Sequence, residues 1–411
     1  MKGLRLVRKI DPDNFRRATR DTPREVNRRI LLNLVREKQP ISRADLARDM
    51  GVPRGTITAL VNELLAEGLV REGETADAPR GRKPTLLHIR AHDRLALGVD
   101  IHRTYTHLLL SDFDERTLAR ESFPTPNTPE AVIEELLPRA RRLLSEHERI
   151  GACQGVGVVV PGVVEGRTGR VINAPTLGWT NTDLRGPLQD ALGLSVHVER
   201  DAVACALARM WLTGRIDSDP ASFVYLVVSE GVGTGLVVNG QVVRGSQSAA
   251  GEFGHMPLSV DGPRCSCGST GCWEAYASDA VTIARYAQAV RDADGADAPD
   301  PSGLTVREIV DRHRDGDEHA RQALLTTGRY LGLGIAAVVN ALNPGALIVG
   351  GEIACAWELI EPVIRREVVG RTLTRSAGAT PIEPDPAHAE QRLRGATALV
   401  MAPLFAAPRI A

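Results

Sequence analysis

The sequence has 411 residues, of which 43% are hydrophobic, 25% charged and 4% aromatic, with 39 glycines, 6 cysteines and a formal net charge of −1. This length favours two or three domains, and so few cysteines exclude a small disulfide-stabilised secreted domain. The charge is unevenly divided, because residues 1–90 carry 20 Lys and Arg against 12 Asp and Glu, whereas the remainder carries 30 against 39. A basic N-terminal part on an acidic body indicates a polyanionic partner for the basic part.

Residues 1–21 read as a basic N-terminal arm, without the apolar segment of a secretory signal peptide. No stretch resembles the run of about 18–20 apolar residues that crosses a bilayer. Three of the cysteines lie within CSCGSTGC at residues 265–272, a spacing that favours metal binding in a reducing compartment. The sequence therefore predicts a cytoplasmic protein with no membrane partner.

Residues 22–85 have the pattern of a winged helix-turn-helix domain. The second of three predicted helices follows Ser42, an N-cap residue, with Asp45 three positions later as an approximate capping box. Gly51 ends that helix, Pro53 begins the third, and LVRE at residues 69–72 reads as a strand. Apolar residues recur at helical spacing in the first helix at Val26, Ile30, Leu31, Leu34 and Val35, and in the third at Ile57, Leu60, Val61, Leu64 and Leu65.

The third helix is the element that such a domain inserts into the major groove of DNA. A guanidinium can bind guanine or phosphate with two hydrogen bonds, and small threonines allow close approach. The segment PRGRKP at residues 79–84 would form the wing or the sequence just beyond it, and its cations suit a narrow minor groove. The predicted contacts to double-stranded DNA are Arg54, Thr56, Thr58, Arg80, Arg82 and Lys83. The alternative is a helical protein-interaction bundle with a solvated basic surface.

The strongest chemical signal lies in GEFGHMPLSVDGPRCSCGSTGCWEAY, at residues 251–276. Thiolate and imidazole ligands suit Zn²⁺, which takes four of them in a closed structural site. We therefore predict a structural Zn²⁺ held by His255, Cys265, Cys267 and Cys272. The alternative is a loop of reduced cysteines. Glu252 and Glu274 lie on either side of this loop, and carboxylates that converge there would accept hydrogen bonds from the hydroxyls of a sugar.

Several motifs in chain order make this sequence similar to the ROK family of repressors and sugar kinases. They are the winged helix, GVDI, ERDAVACALA, AGEFGHMPL, CSCGSTGCWE and LIVGGE. The resemblance implies an α/β protein in which the winged helix precedes a two-lobed, actin-like (ribonuclease H-like) sugar-kinase fold over residues 86–411, with its zinc loop near 255–272. It also implies a homodimer or homotetramer with a sugar in the cleft.

The resemblance assigns roles to individual residues of this chain. Asp201 matches the catalytic base of the family kinases, and Gly350 and Gly351 match a turn beside the adenosine. Arg200 precedes Asp201, where the kinases have Asn. The predicted ligand-binding set is Arg200, Asp201, Glu252, His255 and Glu274, of which His255 is also a metal ligand.

Two departures from the family pattern affect the nucleotide. The kinases have Asp-x-Gly-Gly-Thr where this chain has Asp100-Ile101-His102-Arg103-Thr104, and side chains at the glycine positions obstruct close approach of the backbone to a phosphate. In the second phosphate loop Glu230 replaces a threonine. At an effective dielectric constant of ~20, two like charges ~4 Å apart repel by about 4 kcal/mol, and phosphoryl transfer depends on positioning and charge.

Two departures affect the sugar side. Thr176 stands where the family commonly has Asn. Arg200 would pair either with a carboxylate or phosphate of the ligand, or with Glu199 or Asp201 in a salt bridge. Trp179 and Trp273 would flank the pocket, or pack in the core as the more ordinary role.

These features predict a sugar-responsive DNA-binding regulator, a repressor of carbohydrate genes that has no enzymatic activity and therefore no catalytic residue. The alternative is an ATP-dependent ROK sugar kinase, acting on a hexose or N-acetylhexosamine, with a fused DNA-binding domain and Asp201 as its base. A third reading is a scaffold whose basic domain binds protein.

Overall fold

A computed structural model describes residues 22–75, 83–211, 221–294, 303–385 and 387–406. The chain divides into two compact units, one formed by Met1–Arg94 with Met401–Ala411 and the other by Leu95–Val400. The predicted arm at residues 1–21, and Arg80 and Arg82 of the predicted wing, lie outside the described residues.

The first unit is a winged helix-turn-helix, as predicted. Its sheet has the order β1-β3-β2 with antiparallel pairs. Ser42 caps the second helix by accepting a hydrogen bond from the Asp45 backbone at 3.2 Å, and Gly51 ends it with φ of 63°, a conformation that glycine adopts without strain. The elements are α1 (Thr22–Lys38), β1 (Ile41–Ser42), α2 (Arg43–Met50), α3 (Arg54–Ala66), β2 (Val70–Thr75) and β3 (Thr85–Ile89).

The buried face of α1 differs by one position from the predicted stripe. Ile30 is 44% exposed, whereas Leu32 is buried beside Leu31 and Val35. Because each residue advances about 100° around a helix, Leu31, Leu32 and Val35 share one arc and Ile30 lies outside it. Within the same unit, the Asn33 amide donates to the Phe405 carbonyl at 2.7 Å.

The second unit contains two lobes, each built on a five-stranded sheet. The first sheet has the order β11-β7-β4-β5-β6, in which β5 pairs antiparallel with β4 and β6, and β7 is parallel to β11. A small sheet of order β10-β9-β8 lies between β7 and β11 in the sequence. The elements of this lobe are β4 (Arg94–Ile101), β5 (Tyr105–Asp112), β6 (Thr117–Pro124), α4 (Pro129–His147), β7 (Ala152–Val160), β8 (Val163–Val164), β9 (Arg170–Ala174), β10 (Trp179–Asp183), α5 (Arg185–Leu192) and β11 (Val196–Arg200).

The second lobe repeats the topology of the first. Its sheet has the order β14-β13-β12-β15-β16, so each lobe has an antiparallel meander of three strands followed by two further strands on the other side of the first. This duplication agrees with the predicted actin-like fold. The elements are α6 (Asp201–Trp211), β12 (Phe223–Val228), β13 (Val232–Val238), β14 (Gln241–Val242), α7 (Glu274–Ala277), α8 (Asp279–Asp294), α9 (Val306–Arg314), α10 (Glu318–Leu342), β15 (Ala346–Gly350), α11 (Trp357–Arg371), α12 (Arg375–Gly378), β16 (Ile382–Asp385) and α13 (His388–Phe405).

The helix α10 has the length and hydropathy of a membrane span, which the sequence analysis did not expect of any segment. It alone meets those two criteria among the described residues, and 61% of its apolar window is buried inside the protein. Its apolar residues belong to the core of the second lobe, together with Trp273. Gly334 lets the Trp273 ring lie against the helix, because a Cβ there would come within 2.0 Å of the indole. Burial in this core accounts for the apolar character of α10.

The helix α13 lies close against both lobes. A Cβ on Gly157 of β7 would lie 1.8 Å from the Ala396 carbonyl oxygen, and one on Gly395 would lie 2.3 Å from that of Ala204 in α6. A Cβ on Gly98 of β4 would lie 3.0 Å from the Leu393 carbonyl oxygen. The glycines therefore allow a backbone-to-backbone approach that fixes α13 at the base of the cleft.

Candidate functional site

A cavity of about 340 Å³ opens between the two lobes of the second unit, near the lower end of the range for small-molecule sites. The structure brings five polar side chains from distant parts of the sequence to its wall. These are the predicted ligand-binding residues Arg200, Asp201, Glu252, His255 and Glu274. The part of the cavity wall that they form is called the polar wall below.

The fold places Asp201 at the carboxyl end of a parallel strand. Strand β11 ends at Arg200 and α6 begins at Asp201, so the side chain projects at the edge of the sheet where ligands of α/β proteins commonly bind. Its Oδ1 accepts a hydrogen bond from the Ala202 backbone at 2.7 Å. This bond orients the carboxylate and leaves acceptor positions directed at the cavity.

Arg200 pairs with Glu252, and neither of the two expected salt bridges forms. Its guanidinium donates to Glu252 Oε1 and to the carbonyl oxygens of Thr234 and Ala250. Glu199 instead pairs with Arg244, whose Nη2 lies 2.5 Å from its Oε2. The sequence could not distinguish these partners, because Glu252 lies 52 positions away on a loop of the other lobe. Burial raises the pKa of Glu252, and the Arg200 guanidinium opposes that rise.

Glu274 connects the loop of residues 256–273 to the second sheet. One carboxylate oxygen accepts from the Val232 backbone at 3.1 Å and the other from the Ser266 hydroxyl at 2.8 Å. The latter oxygen also lies 3.5 Å from the Cys265 sulfur. Gly231 makes room for this carboxylate, since a Cβ there would lie 2.5 Å from Glu274 Oε2. Glu274 therefore holds the loop in place as well as lining the cavity.

The four predicted metal ligands converge. The ligand atoms of His255, Cys265, Cys267 and Cys272 all lie within 4.8 Å of one another. The Cys267 and Cys272 sulfurs are 3.8 Å apart, and the Cys265 sulfur is 3.6 Å from His255 Nδ1. A tetrahedral ion with bonds of about 2.3 Å to sulfur and about 2.05 Å to nitrogen holds such atoms roughly 3.6–3.8 Å apart. The cluster therefore fits a single metal ion with four protein ligands.

The turn after β4 and the turn after β12 face each other across the cavity. Arg103 Nε donates to Glu230 Oε1 at 2.8 Å, which forms the compensation that the sequence suggested for Glu230. His102 lines the cavity, and its pKa is lowered, first by burial and then by the nearby Arg392. Side chains therefore fill the turn where the resemblance places a glycine-lined phosphate grip.

Arg392 of α13 is a cavity residue that the sequence analysis missed. Its guanidinium donates to both carboxylate oxygens of Asp100, at 2.7–3.0 Å, and its Nη1 lies 3.4 Å from Asp201 Oδ2. Burial alone would lower the pKa of Arg392, but Asp100 and Asp201 raise it above its ordinary value. Its pairing with Asp100 spans 292 positions, and no local pattern around Arg392 predicts it.

Two further polar groups have no protein partner among the described residues. One is the Thr176 hydroxyl, which is buried in a residue that lines the cavity. The other is Oδ1 of Asp279, at the start of α8. Burial, with smaller effects from Glu352 and Glu230, raises the pKa of Asp279 to about 8. Unpaired buried polar groups are uncommon in proteins and often mark a functional site.

The remaining predicted positions have structural roles. Trp179 and Trp273 are buried in the cores of the first and second lobes and do not line the cavity, so the packing interpretation is correct. Gly351 follows β15 with φ of 119°, and a Cβ there would lie 1.8 Å from the Val228 carbonyl oxygen. The fold itself requires this glycine, whether or not a nucleotide binds nearby.

The first unit presents the predicted DNA-binding residues on its surface. Arg54, Thr56 and Thr58 are exposed on α3, opposite the buried Ile57 and Leu60, and Lys83 is exposed just before β3. The Thr58 hydroxyl donates to the Arg54 carbonyl at 2.9 Å. The N-terminal part of the candidate recognition helix is therefore open to a partner.

Comparison with known proteins agrees with this architecture. Residues 96–402 match the model of the ROK family, and residues 22–82 match that of the MarR family. The chain is 27% identical to the xylose repressor of Bacillus subtilis (strain 168) over 355 residues, which cover 86% of this chain and 88% of that protein.

Solved structures give the same result for the fold. The crystal structure of a ROK family transcriptional regulator, a homologue of the E. coli MLC protein, superposes with a TM-score of 0.81 at 24% identity, covering 94% of this chain and 97% of that one. A ROK family glucokinase from Streptomyces griseus, in complex with glucose and AMPPNP, has a TM-score of 0.65 at 25% identity and covers 75% of this chain and 99% of its own. With a family match over some three quarters of its length, this chain belongs to the ROK family.

Proposed function

We propose that this protein is a sugar-responsive transcriptional repressor, which binds operator DNA through its winged helix and a small sugar in the cavity of its second unit. The observation that carries the proposal is that one chain joins an exposed recognition helix to a cavity with a convergent polar wall. Its similarity along most of its length to a xylose repressor supports the same assignment.

The charges around the cavity favour a neutral sugar over an acidic or phosphorylated one. Its lining carries the cations Arg200, Arg264 and Arg392, against the anions Asp201, Glu230, Glu252 and Glu274. Arg200 and Arg392 are already paired with carboxylates. An anionic ligand would therefore meet an excess of negative charge and at most one uncommitted guanidinium, whereas a neutral polyol meets several acceptors.

The polar wall suits the hydroxyls of such a ligand. Asp201 and Glu252 each retain acceptor capacity beyond their protein partners. The unpartnered Thr176 hydroxyl supplies a further donor or acceptor at the opposite lobe. We assign Arg200 the task of orienting Glu252 toward the sugar rather than contacting an anion on it.

We identify the metal of the His/Cys cluster as a structural Zn²⁺. The ligand set of one imidazole and three thiolates suits zinc and leaves no open position for catalysis. Because Glu274 and Cys265 are in contact and both lie at the cavity, the metal loop would hold this part of the polar wall rigid.

On the DNA side, we propose that Arg54, Thr56 and Thr58 approach base edges and Lys83 a backbone phosphate, with Arg80 and Arg82 as further contacts from the predicted wing. A homodimer or homotetramer in the cytoplasm would present two recognition helices to half-sites about 10 bp apart or a multiple of that.

A binding experiment tests the regulator. The purified protein is titrated onto duplex DNA from upstream of its own gene at increasing salt, with and without a panel of neutral and phosphorylated sugars. Repressor function predicts salt-dependent binding, since phosphate contacts release counterions, and a change of about 5–150-fold in affinity with one neutral sugar. Arg54→Ala should weaken binding, while Arg314→Ala, the loss of an equivalent charge in the second unit, should not. Binding that ignores salt would favour the protein-scaffold interpretation.

A sugar kinase with a fused DNA-binding domain is the second candidate, because Asp201 lies at the cavity and the fold is shared with a ROK glucokinase. A coupled assay with hexoses, N-acetylhexosamines and MgATP distinguishes the two. Turnover that disappears in Asp201→Asn would establish the kinase and contradict the non-enzymatic repressor.

A further inference from the structure

Arg392 is an almost fully buried cation at the base of the cavity. It is 3% exposed, and its main partner Asp100 is 4% exposed. Three hydrogen bonds of 2.7–3.0 Å join its Nε and Nη2 to the Asp100 carboxylate, and its Nη1 faces Asp201. The guanidinium thus bridges the end of β4 in the first lobe and the start of α6 at the second.

The backbone around Arg392 holds it in that position. The neighbouring Leu393 carbonyl oxygen would lie 3.0 Å from a Cβ on Gly98, and the Ala396 carbonyl oxygen 1.8 Å from one on Gly157. These close approaches leave α13 no room to shift toward the strands. The guanidinium is therefore a fixed part of the cleft.

The two aspartates that it joins would otherwise attract a metal ion. Carboxylate oxygens from two elements, directed into one cleft, are the ligands that hard divalent cations such as Mg²⁺ and Mn²⁺ prefer. A guanidinium between them supplies positive charge at the same place, and its planar donors satisfy the carboxylate oxygens that a cation would use.

We propose that Arg392 is a resident cation that determines the ligand specificity of the cleft, because it occupies the place between Asp100 and Asp201 that a nucleotide-bound metal would need. The cleft then accepts a free sugar at the polar wall and excludes a metal–nucleotide complex. This inference rests on the proposed function, and it adds the residue responsible for the selectivity.

The arrangement also gives Asp201 a defined task. Its Oδ1 is held by the Ala202 backbone and its Oδ2 faces Arg392. Both oxygens are therefore oriented by the protein before any ligand arrives. Asp201 would act as a fixed acceptor for one sugar hydroxyl, and Arg392 would be its positioning residue.

Titration with Mn²⁺ alone, followed by electron paramagnetic resonance, tests the proposal on the full chain after the His/Cys cluster has been saturated with Zn²⁺. Wild-type protein should show no Mn²⁺ site in the cleft. Arg392→Met, which keeps much of the side-chain volume without the charge, should bind about one Mn²⁺ at least ~10-fold more tightly than wild type. The double variant Arg392→Met/Asp100→Asn should lose that site. Arg394→Met is the matched control on the same helix, since Arg394 pairs with Glu115, and it should behave as wild type.

Thermal denaturation gives a second reading of the same variants. Mn²⁺ should raise the melting temperature of Arg392→Met and leave that of wild type unchanged, because the ion replaces the missing charge. If Arg392→Met does not fold, recovery of a folded protein in the double variant supports the charge balance, and failure of the double variant to recover contradicts it.

Two results overturn the proposal. One is a Mn²⁺ site in wild-type protein that Asp100→Asn abolishes, and this measurement needs no Arg392 variant. The other is an Arg392→Met protein that folds without acquiring a site. Operator binding and its response to sugar are measured separately, so a protein that gains the Mn²⁺ site but ignores DNA would contradict the repressor and leave the role of Arg392 intact.

Discussion

Arg103 and Glu230 form an ion pair across the cleft, with Arg103 Nε donating to Glu230 Oε1 at 2.8 Å. Arg103 belongs to the turn after β4 in the first lobe, and Glu230 to the turn after β12 in the second. The pair therefore joins the two turns that would surround the phosphates of a nucleotide in a kinase of this fold.

We expect Glu230→Gln to lower the free energy of unfolding by less than ~1 kcal/mol, because Arg103 is 63% exposed and exposed ion pairs contribute little. Urea denaturation at low and high salt measures this, and Arg103→Ala should give the same small loss. A loss of several kcal/mol in either variant would show that the pair is structurally essential.

The Arg200–Glu252 pair should behave differently, because the Arg200 side chain is 5% exposed. We expect Arg200→Met to lower the free energy of unfolding by about 2–4 kcal/mol, since it leaves Glu252 and two carbonyl groups without their donor. Adding Glu252→Gln should recover part of that loss, which a double-mutant cycle in urea measures. Arg244→Met, at the more exposed pair with Glu199, is the control and should cost less. Equal losses in the two arginine variants would contradict the difference in burial.

Removal of one metal ligand should destabilise the polar wall. We expect one zinc per chain by elemental analysis, and a lower melting temperature together with a weaker sugar response in Cys267→Ser. Cys153→Ser is the matched control, because Cys153 lies on β7, outside the cluster, and should leave the metal content unchanged. Unaltered zinc content in Cys267→Ser would show that Cys267 is not a ligand.

The stability of the protein should depend on pH through Asp279. Its pKa is raised from an ordinary value of 3.8 to about 8 in the folded protein, so folding favours the protonated form. The resulting destabilisation is absent below about pH 4, grows between about pH 4 and pH 8, and is complete above pH 8.

We therefore expect Asp279→Asn to melt at a higher temperature than wild type at pH 8, corresponding to about 1–3 kcal/mol, and the difference should vanish near pH 4. Thermal denaturation across this range measures it. A control substitution of the exposed Asp311 to Asn should show no such trend. A constant difference between Asp279→Asn and wild type at all pH values would exclude titration of Asp279 as the cause.

Features that depend on a few neighbouring residues could be predicted from the sequence. The cap at Ser42 and the spacing of the three loop cysteines both specify geometry over fewer than ten positions, and the structure forms the cap and brings the cysteines together. The order of motifs identified the family, and with it the two-lobed fold and the residues that converge at the cavity.

Features that depend on long-range pairing could not be predicted in the same way. Arg200 had several acidic candidates, and only the approach of the loop at residues 250–252 selects Glu252. Arg392 lies in a segment of mixed charge that reads as a helix surface, until α13 packs through the glycines of β4 and β7. The buried face of α1 differed because three successive turns of apolar residues allow two overlapping stripes.

The charge pairs of the cleft also bear on how such a regulator could evolve. A lineage that regained phosphoryl transfer would have to lose Arg392, Glu230 and the side chains of the turn at residues 102–103. Each of these substitutions alone strands an opposite charge inside the cleft, so every first step would be selected against before any catalytic benefit appeared. The route from enzyme to sensor would then be much easier to travel than its reversal, even in a descendant that had discarded its winged helix.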